Sequence, residues 1–437
     1  MYREVADAAW RWVLDQVRWD DGPWIPESVG GPERPEIPAD RDGVHSGIGG
    51  LAHVLAEIKL HRPWTDEEQV LADGIAERLR AVISKSTDCT YFDGLVSNID
   101  VLVALDSPGV AEAVQRLQEL AEPDGWPQSF AMPPRYLPGA RLNDMTLGTA
   151  GVLLGALWAR RHGVDTATEL AEQAAALLLA EAVPAPPGVT WPFVPQRFLT
   201  DQRSEMPNLT HGLAGIAATL AVAGVELDRP DLVSAARSGA DYLVTLNVSD
   251  DQGFAVPRMV PIKEDSDQDP VTYNWCHGPA GTSLLFAALD HAGVESVAGD
   301  APMTWRQRCL HSVKSSGLPE RLYPGFWDND GRCCGTTGVA DVLLDSWQAT
   351  GDQTDLKFAL HLADVLVERA VRDGSHAYWQ FIEHRNEDPL LPPGVGWMQG
   401  AAGIAAYLFR TARVTEQGRS AAVAPRMDTW WATVRTD

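Results

Sequence analysis

The stretch GLAGIAATLAVA, residues 212–223, begins with two glycines separated by two residues and continues as an apolar run. Five further segments share this pattern, and a seventh, GLVSNIDVLVAL from residue 94, has Ser97 in place of the second glycine. Consecutive first glycines are 47 to 66 residues apart, which leaves room for two helices and two connections per copy. The chain is therefore a sevenfold internal repeat. The other copies are GIGGLAHVLAEI from residue 47, GTAGVLLGALWA from 148, GPAGTSLLFAAL from 278, GTTGVADVLLDS from 335 and GAAGIAAYLFR from 400.

The repeated segments predict buried helices, because each is helix-length and apolar on nearly every side. The segments between them have one polar face, as in residues 67–83, 110–120 and 168–183. This alternation predicts an all-α, seven-fold α/α barrel (a toroid) with inner and outer rings of seven helices each. We expect it to form a single domain over residues 1–437. Gly-x-x-Gly is common in any Ala- and Gly-rich helical protein, but seven copies in register favour the barrel.

Composition and charge narrow the classes of function. A formal net charge of −25 disfavours binding to nucleic acid. The N-terminal segment MYREVADAAWRWVLDQVRW lacks the apolar core of a signal peptide, and the longest nearly apolar stretch is too short to span a bilayer. Five cysteines, an odd and sparse set, indicate a reducing compartment. We therefore expect a cytoplasmic protein with no integral membrane segment, in which clustered cysteines serve metal binding or catalysis.

The repeat also predicts which residues share one end of the barrel, because equivalent positions in a closed ring of repeats lie on the same rim. The positions just before the first glycine are rich in residue types that bind metals or transfer protons. Helix capping is the simpler explanation, and it suits Asp93 and Gln399 but accounts poorly for cysteine and histidine. The set is His45, Asp93, Asp144, His211, Cys276 with His277, Cys333 with Cys334, and Gln399.

Three cysteines of this set predict a zinc site. Cys276 and the adjacent pair Cys333 and Cys334 lie in consecutive repeats, so we expect them to face one another across one gap between helices. Thiolates select zinc in a reducing compartment, and a helix N-terminus is expected to lower the pKa of each thiol. Three unligated buried thiols are the alternative. Cys89 and Cys309 lie outside the register and are predicted to be packing residues.

Three protein ligands would leave the fourth position of one Zn²⁺ per chain open, as in catalytic sites. If His277 were a fourth ligand, the site would be structural instead. Three thiolates give the site a net charge of −1, which weakens the activation of water, whereas a bound substrate thiol would still lose its proton. The pattern therefore favours transfer of a thiolate over hydrolysis.

The motifs NWCHGPAG, RCCGTTG, NLTHGLAG and NDMTLGTAG, set on seven repeats, resemble those of the LanC-like lanthionine synthetase cyclases, a family of lanthipeptide cyclases. The resemblance covers essentially the whole chain and implies a seven-fold α/α toroid with zinc at its mouth. Bacterial members add peptide cysteine thiols to dehydroalanine or dehydrobutyrine and so form thioether rings. The resemblance implies that Cys276, Cys333 and Cys334 bind zinc. It also implies that His211 is the acid/base and Asp144 its partner or a second acid.

The chain departs from the commonest pattern of this family at three positions. Cys334 stands where histidine is frequent, as in some bifunctional synthetases of the family. His277 stands where dedicated cyclases often have tyrosine, as in the animal-type relatives. Thr272 stands where many cyclases carry arginine. The last two differences leave the proton donor open among His211, Asp144 and His277.

The reaction implied is a Michael addition, in which a donor protonates the α-carbon after the thiolate has attacked the β-carbon. His211 is the best candidate because histidine titrates near neutral pH, although it would alternatively cap its helix. Asp144 would orient His211 or form a turn. His277 would donate the proton, hold the enolate oxygen or contact the peptide. His45 is the weakest candidate on this rim.

Three functions are compatible with these residues. The first is a stand-alone zinc-dependent lanthipeptide cyclase acting on a dehydrated precursor peptide after a separate dehydratase. The second is addition of glutathione or another free thiol to dehydroamino acids in proteins. The third is a non-catalytic, zinc-stabilised scaffold of a modification complex. A prenyltransferase-like barrel is disfavoured, because its Asp–Cys–His zinc set has no counterpart in register here.

Four long connections rich in proline and tryptophan run directly into a repeat glycine. We expect them to converge on the zinc-bearing rim, where their aromatic and arginine side chains suit an extended peptide. A lid that only packs the barrel mouth is the alternative. The connections are residues 122–144, 184–207, 251–274 and 386–397.

Overall fold

The computed structural model describes residues 1–30, 41–128, 136–201, 204–250, 252–262, 269–320, 329–382 and 390–433. Within these ranges the chain forms fourteen α-helices and three short antiparallel hairpins. The helices are α1 (Tyr2–Leu14), α2 (Leu51–Lys59), α3 (Asp66–Ile83), α4 (Leu95–Ala104), α5 (Val110–Leu120), α6 (Thr149–Arg161), α7 (Ala167–Ala180), α8 (Leu213–Glu226), α9 (Pro230–Val244), α10 (Pro279–His291), α11 (Pro302–Lys314), α12 (Thr336–Thr350), α13 (Gln353–Arg369) and α14 (Ala401–Gln417).

The even-numbered helices form the inner ring predicted from the repeat. Helix α8 is buried at every position from Leu213 to Gly224, as expected for a helix covered on all sides. The odd-numbered helices form the outer ring; α3 buries one face only, as at Leu71, Ala72, Ile75 and Ala76. Helix α14 packs against α2, so the inner ring closes, and the outer helix α1 packs against α14. The all-α barrel of seven inner and seven outer helices is confirmed.

The hairpins lie in connections between the helices. They pair β1 (Val183–Ala185) with β2 (Gly188–Thr190), β3 (Val371–Asp373) with β4 (His376–Tyr378), and β5 (Phe381–Ile382) with β6 (Leu390–Leu391). The predicted helix over 168–183 was therefore too long, since α7 ends at Ala180 and Val183 begins a strand. The prolines that follow at 184, 186 and 187 cannot continue a helix.

The described parts of the long connections lie side by side. Leu137 N donates to Phe198 O at 2.9 Å, and Asn143 N donates to Phe193 O at 3.0 Å. Glu205 and Val260 exchange two backbone hydrogen bonds of 2.8 Å. Connections 122–144, 184–207 and 251–274 thus form one layer beside the inner-helix N-termini. Each of the four long connections also contains residues outside the described ranges.

The turn before each inner helix folds back tightly over the first turn of that helix. In α6, Thr149 N donates to Leu142 O at 2.9 Å, and in α12, Thr336 N donates to Asn329 O at 2.9 Å. Each acceptor lies seven residues upstream, so backbone carbonyls satisfy the free N–H groups of these helix starts. The inner helices have glycine N-caps with no side-chain capping bond. The repeat glycines make this approach possible: a Cβ at Gly281 would lie 1.8 Å from the Trp275 carbonyl oxygen.

The seven turns are also joined to one another in a closed circle, which we call the rim ring. In each repeat, a group near the second residue before the first glycine donates a hydrogen bond. The acceptor is a backbone carbonyl oxygen at the corresponding place in a neighbouring repeat. The bonds are Met398 N to His45 O (3.0 Å), Cys333 N to Met398 O (2.9 Å), Cys276 N to Cys333 O (3.3 Å), Thr210 N to Cys276 O (3.2 Å), Thr146 Oγ1 to Thr210 O (3.2 Å), Tyr91 N to Thr146 O (2.8 Å) and Val44 N to Phe92 O (2.6 Å).

A C-terminal segment, residues 421–433, packs inside the helical ring. Arg426 pairs with Asp341 and Asp345 of the inner helix α12. Trp431 Nε1 donates to Leu284 O of the inner helix α10 at 3.0 Å. No helix among the described residues is long and apolar enough to cross a bilayer.

Replacing a repeat glycine tests the tight fold-back of these turns. In Gly215→Ala the new Cβ would lie 1.9 Å from the Leu209 carbonyl oxygen, so the backbone must shift. We expect the free energy of unfolding to fall by about 3 kcal/mol or more, measured by chemical denaturation.

Gly74→Ala is the matched control, since Gly74 lies within the outer helix α3. Its new Cβ meets side-chain atoms rather than backbone, the half-exposed Trp19 ring at 3.0 Å and Pro23 Cγ at 3.2 Å, and alanine favours the helix by about 1 kcal/mol. Equal, small effects of the two substitutions would contradict the role assigned to the repeat glycines.

Candidate active site

The three cysteine side chains of the repeat register lie together on the rim. The Sγ atom of Cys334 is 3.6 Å from that of Cys276 and 3.4 Å from that of Cys333. All three sulfur atoms lie within 4.8 Å of one another. Cys276 is buried, whereas Cys333 and Cys334 are partly exposed. Three thiols at this spacing can share one metal ion.

The backbone of two neighbouring turns positions these thiols. Cys276 N donates to Cys333 O, which ties the two cysteine-bearing turns together. Asn274 Oδ1 accepts from His277 N at 2.8 Å and lies 3.5 Å from Cys276 Sγ. Asn274 was not among the residues predicted from the sequence. The sequence feature that could have indicated Asn274 is its position four residues before the first glycine of its repeat. Asn208 occupies the same position in the preceding repeat.

Burial changes the protonation of the cluster. Burial and the adjacent Cys333 and Cys334 thiols raise the pKa of the Cys276 thiol well above its ordinary value. The expectation that the helix N-terminus lowers this pKa is therefore wrong for Cys276, because lost solvation outweighs the helix dipole. A bound divalent cation would reverse the balance by favouring the thiolate. The donor set, three mutually close thiols, fits a zinc ion.

The other two cysteines lie apart from this cluster and are buried among apolar side chains. Burial raises the pKa of Cys89 to about 12 and raises that of Cys309 well above its ordinary value. Both therefore behave as packing residues, as predicted.

Asp144 and His211 form a hydrogen-bonded pair on the same rim. His211 Nδ1 lies 2.9 Å from Asp144 Oδ2, and Asp144 is fully buried while the His211 side chain is 27% exposed. Thr146 Oγ1 lies 2.9 Å from Asp144 Oδ2 and 3.0 Å from His211 Nδ1. Leu147 N lies 3.2 Å from Asp144 Oδ2, so Asp144 both shapes its turn and contacts His211. Thr146 was not predicted from the sequence.

His277 lies beside His211, with ring centroids 5.5 Å apart. Burial lowers the pKa of His277 to about 3, and electrostatic interactions with His211 and Arg258 act in the same direction. Its ring is therefore neutral near pH 7. His277 Nδ1 is buried and finds no hydrogen-bond partner among the described residues. His277 is not part of the group of close metal-binding atoms, which comprises the three cysteines.

A family model described as lanthionine synthetase C-like protein matches residues 38–420. The chain belongs to the lanthionine synthetase C-like family. The structure of nisin cyclase is similar at a TM-score of 0.59 and 15% sequence identity, over 91% of this chain and 92% of that one. This likeness shows a shared fold. No curated protein matches the chain.

An unsaturated glucuronyl hydrolase from Bacillus sp. GL1 also matches, at a TM-score of 0.47 and 13% identity, over 96% of this chain and 97% of that one. The range matched to the lanthionine synthetase C-like family leaves out α1 and the C-terminal segment. Both pack against the matched region, α1 on the outside of α14 and the C-terminal segment inside the ring.

Thiol labelling tests the placement of the five cysteines in this lanthionine synthetase C-like chain. In the folded, chelator-treated protein we expect an alkylating reagent to modify Cys333 and Cys334, since they are partly exposed. Bound zinc should protect them, whereas Cys89 and Cys309 should react only after unfolding. Mass-spectrometric mapping of labelled peptides measures each site.

Fast labelling of Cys89 or Cys309 in the folded protein would contradict their placement. Labelling of Cys333 and Cys334 that does not respond to zinc would contradict a metal at the cluster.

Proposed function

We propose that the chain is a zinc-dependent lanthipeptide cyclase, which adds cysteine thiols of a dehydrated precursor peptide to dehydroalanine or dehydrobutyrine. One observation carries the proposal: a cluster of three thiols and a buried carboxylate–histidine pair share one rim of a lanthionine synthetase C-like barrel. Thr210, next to His211, donates its backbone N–H and its hydroxyl to Cys276 O. The two groups therefore belong to directly bonded turns.

Cys276, Cys333 and Cys334 would hold the zinc ion. When bound, zinc supplies a positive centre that favours the deprotonated, nucleophilic form of a substrate thiol. The three cysteines keep this centre electron-rich, so activation of water is a poorer use of the site than activation of sulfur.

His211 would move the protons of the reaction. The hydrogen bond to Asp144 holds the imidazole through Nδ1, which leaves Nε2 as the atom that exchanges a proton with substrate. The addition forms a carbon–sulfur bond, breaks the carbon–carbon π bond and places one proton on the α-carbon. The substrate thiol releases one proton in the same cycle. His211 would accept that proton and deliver one to the α-carbon, so the cycle consumes no protons overall.

His277 would hold the enolate rather than protonate it. A neutral imidazole has one N–H to donate, and the low pKa of His277 means that its protonated form is scarce near pH 7. A hydrogen bond from this ring to the carbonyl oxygen of the dehydroamino acid would stabilise the negative charge that develops there.

A cyclase of this kind needs a substrate that has already lost water from serine or threonine. We therefore include in the proposal a separate dehydratase and a cytoplasmic location, where the thiols stay reduced. We also infer that residues 1–437 act as one domain, since both α1 and the C-terminal segment complete the barrel.

The reaction products separate the three candidate functions. The zinc-loaded chain is incubated with a dehydrated peptide that contains one cysteine, with and without glutathione. Ring closure leaves the peptide mass unchanged and removes the thiol that N-ethylmaleimide would label. Addition of the mass of glutathione would support the free-thiol reaction instead. If neither change occurs while zinc is bound, only the scaffold function remains.

Substitution of the carboxylate–histidine pair tests the proton-transfer role. We expect His211→Asn to slow ring closure by about 10²-fold or more, because general acid–base catalysis contributes factors of this size. Asp144→Asn should also slow it, by about tenfold to 10²-fold, since it removes the group that orients the ring. The rate is measured by loss of peptide thiol, and the zinc content should stay at the wild-type level.

The matched control is His45→Asn, which removes another histidine of the rim. His45 lies outside the pair and bonds to Ser46 Oγ through its Nδ1 at 2.8 Å. An equal loss of rate in His45→Asn and His211→Asn would contradict the assignment.

A further inference from the structure

Arg332, the residue before Cys333, is anchored inside the helical ring at three points. Its guanidinium donates to Asp341 Oδ2 at 2.6 Å and lies over the Trp397 ring, 4.1 Å from the ring centroid. Its aliphatic stem crosses the backbone of α14 at Gly403, where a Cβ would lie 2.8 Å from Arg332 Cδ. Arg332 is 7% exposed. A side chain fixed in this way leaves the next residue little freedom.

The backbone transmits this anchoring to the cysteines. The amides of Arg332 and Cys333 both donate to Met398 O, at 2.8 and 2.9 Å. The Arg332 carbonyl lies against the first turn of α12, where a Cβ at Gly338 would be 1.9 Å away. Cys333 O in turn accepts from Cys276 N. A displacement of Arg332 would therefore move two of the three clustered thiols.

Asp341, the partner of Arg332, is shared with two other arginines. Arg410 bonds to its Oδ1 at 2.6 Å, and Arg426 bonds to its Oδ2 at 2.9 Å. Asp345, one helical turn later, pairs with the same Arg410 and Arg426. Among the described contacts, Arg332 pairs with Asp341 alone. The two aspartates are thus alike in burial and share two arginine partners, but only Asp341 also pairs with Arg332.

Arg426 reaches this network from the C-terminal segment, which has separate anchors of its own. Trp430 stacks on Trp158 of α6 with ring centroids 5.4 Å apart, and Ala432 O accepts from Arg306. The segment lies beyond residue 420, where the family match ends. Residues outside the matched range therefore contribute to the ion-pair network that holds Arg332, next to Cys333.

We propose that Arg332 is a positioning residue for the cysteine cluster, and that Asp341, shared with Arg426 of the C-terminal segment, holds it in place. The inference rests on the proposed zinc binding. It predicts that the cysteines lose metal affinity when Arg332 is released, although no metal-binding atom has been removed.

The experiment compares Asp341→Asn with Asp345→Asn in the full chain. Zinc affinity is measured by competition with a chromophoric chelator, and the free energy of unfolding of the zinc-free proteins is measured by denaturation. Both variants lose a buried carboxylate, so both should lose stability. Only Asp341→Asn should bind zinc about tenfold or more weakly than Asp345→Asn, in the range seen when groups that orient metal ligands are removed.

Arg332→Met gives an independent test if a buried aspartate variant fails to fold. It keeps the stem that crosses Gly403 and leaves Asp341 with two arginine partners. We expect a loss of zinc affinity similar to that of Asp341→Asn, and recovery of most of the affinity in Arg332→Lys, which retains the charge.

Equal zinc affinity in Asp341→Asn, Arg332→Met and Asp345→Asn would overturn the positioning role while leaving zinc binding intact. A wild-type chain that binds no zinc would overturn the proposed function as well. The two failures are therefore distinguishable.

Discussion

The fold and the site both depend on how closely the seven turns lie against the starts of the inner helices. Carbonyl oxygens of each turn occupy space that any side chain would fill, as at Gly148 and Gly335. The same carbonyls accept hydrogen bonds from the helix starts, so the side chains of the turn are not needed as caps. The turn side chains are therefore available to bind metal or transfer protons. The rim ring then fixes the turns relative to one another, which brings thiols from two repeats within reach of one ion.

The interior of the barrel sets a second constraint, because it contains charge rather than only apolar side chains. Arg332, Arg410 and Arg426 surround the carboxylates of Asp341 and Asp345, and all five side chains are less than 10% exposed. These three arginines hold the pKa of Asp341 far below its usual range. Removing one partner of such a network costs about 3–5 kcal/mol, because the remaining charge stays buried without compensation. The network therefore fixes one arrangement of α12, α14 and the C-terminal segment.

The barrel and the cysteine cluster could be predicted from the sequence because both follow from periodicity. Seven copies at regular spacing define the inner helices, and equivalent positions in a ring must lie at one end, which is why Cys276 was expected beside Cys333. The pairing of Arg426 with Asp341 could not be predicted, since these residues are 85 positions apart and belong to no repeat pattern. The raised pKa of Cys276 was also missed, because a helix start visible in sequence does not reveal how deeply the thiol is buried.

The central claim is that the rim presents three thiolates to one zinc ion and leaves room for the substrate sulfur. Zinc K-edge X-ray absorption of the loaded protein, with and without a dehydrated peptide containing one cysteine, tests it most directly. We expect three sulfur ligands and one lighter atom in the free protein, and four sulfur ligands with peptide bound. A site with a histidine nitrogen as its fourth ligand that does not change when peptide is added would contradict the claim. Such a site would be structural rather than catalytic.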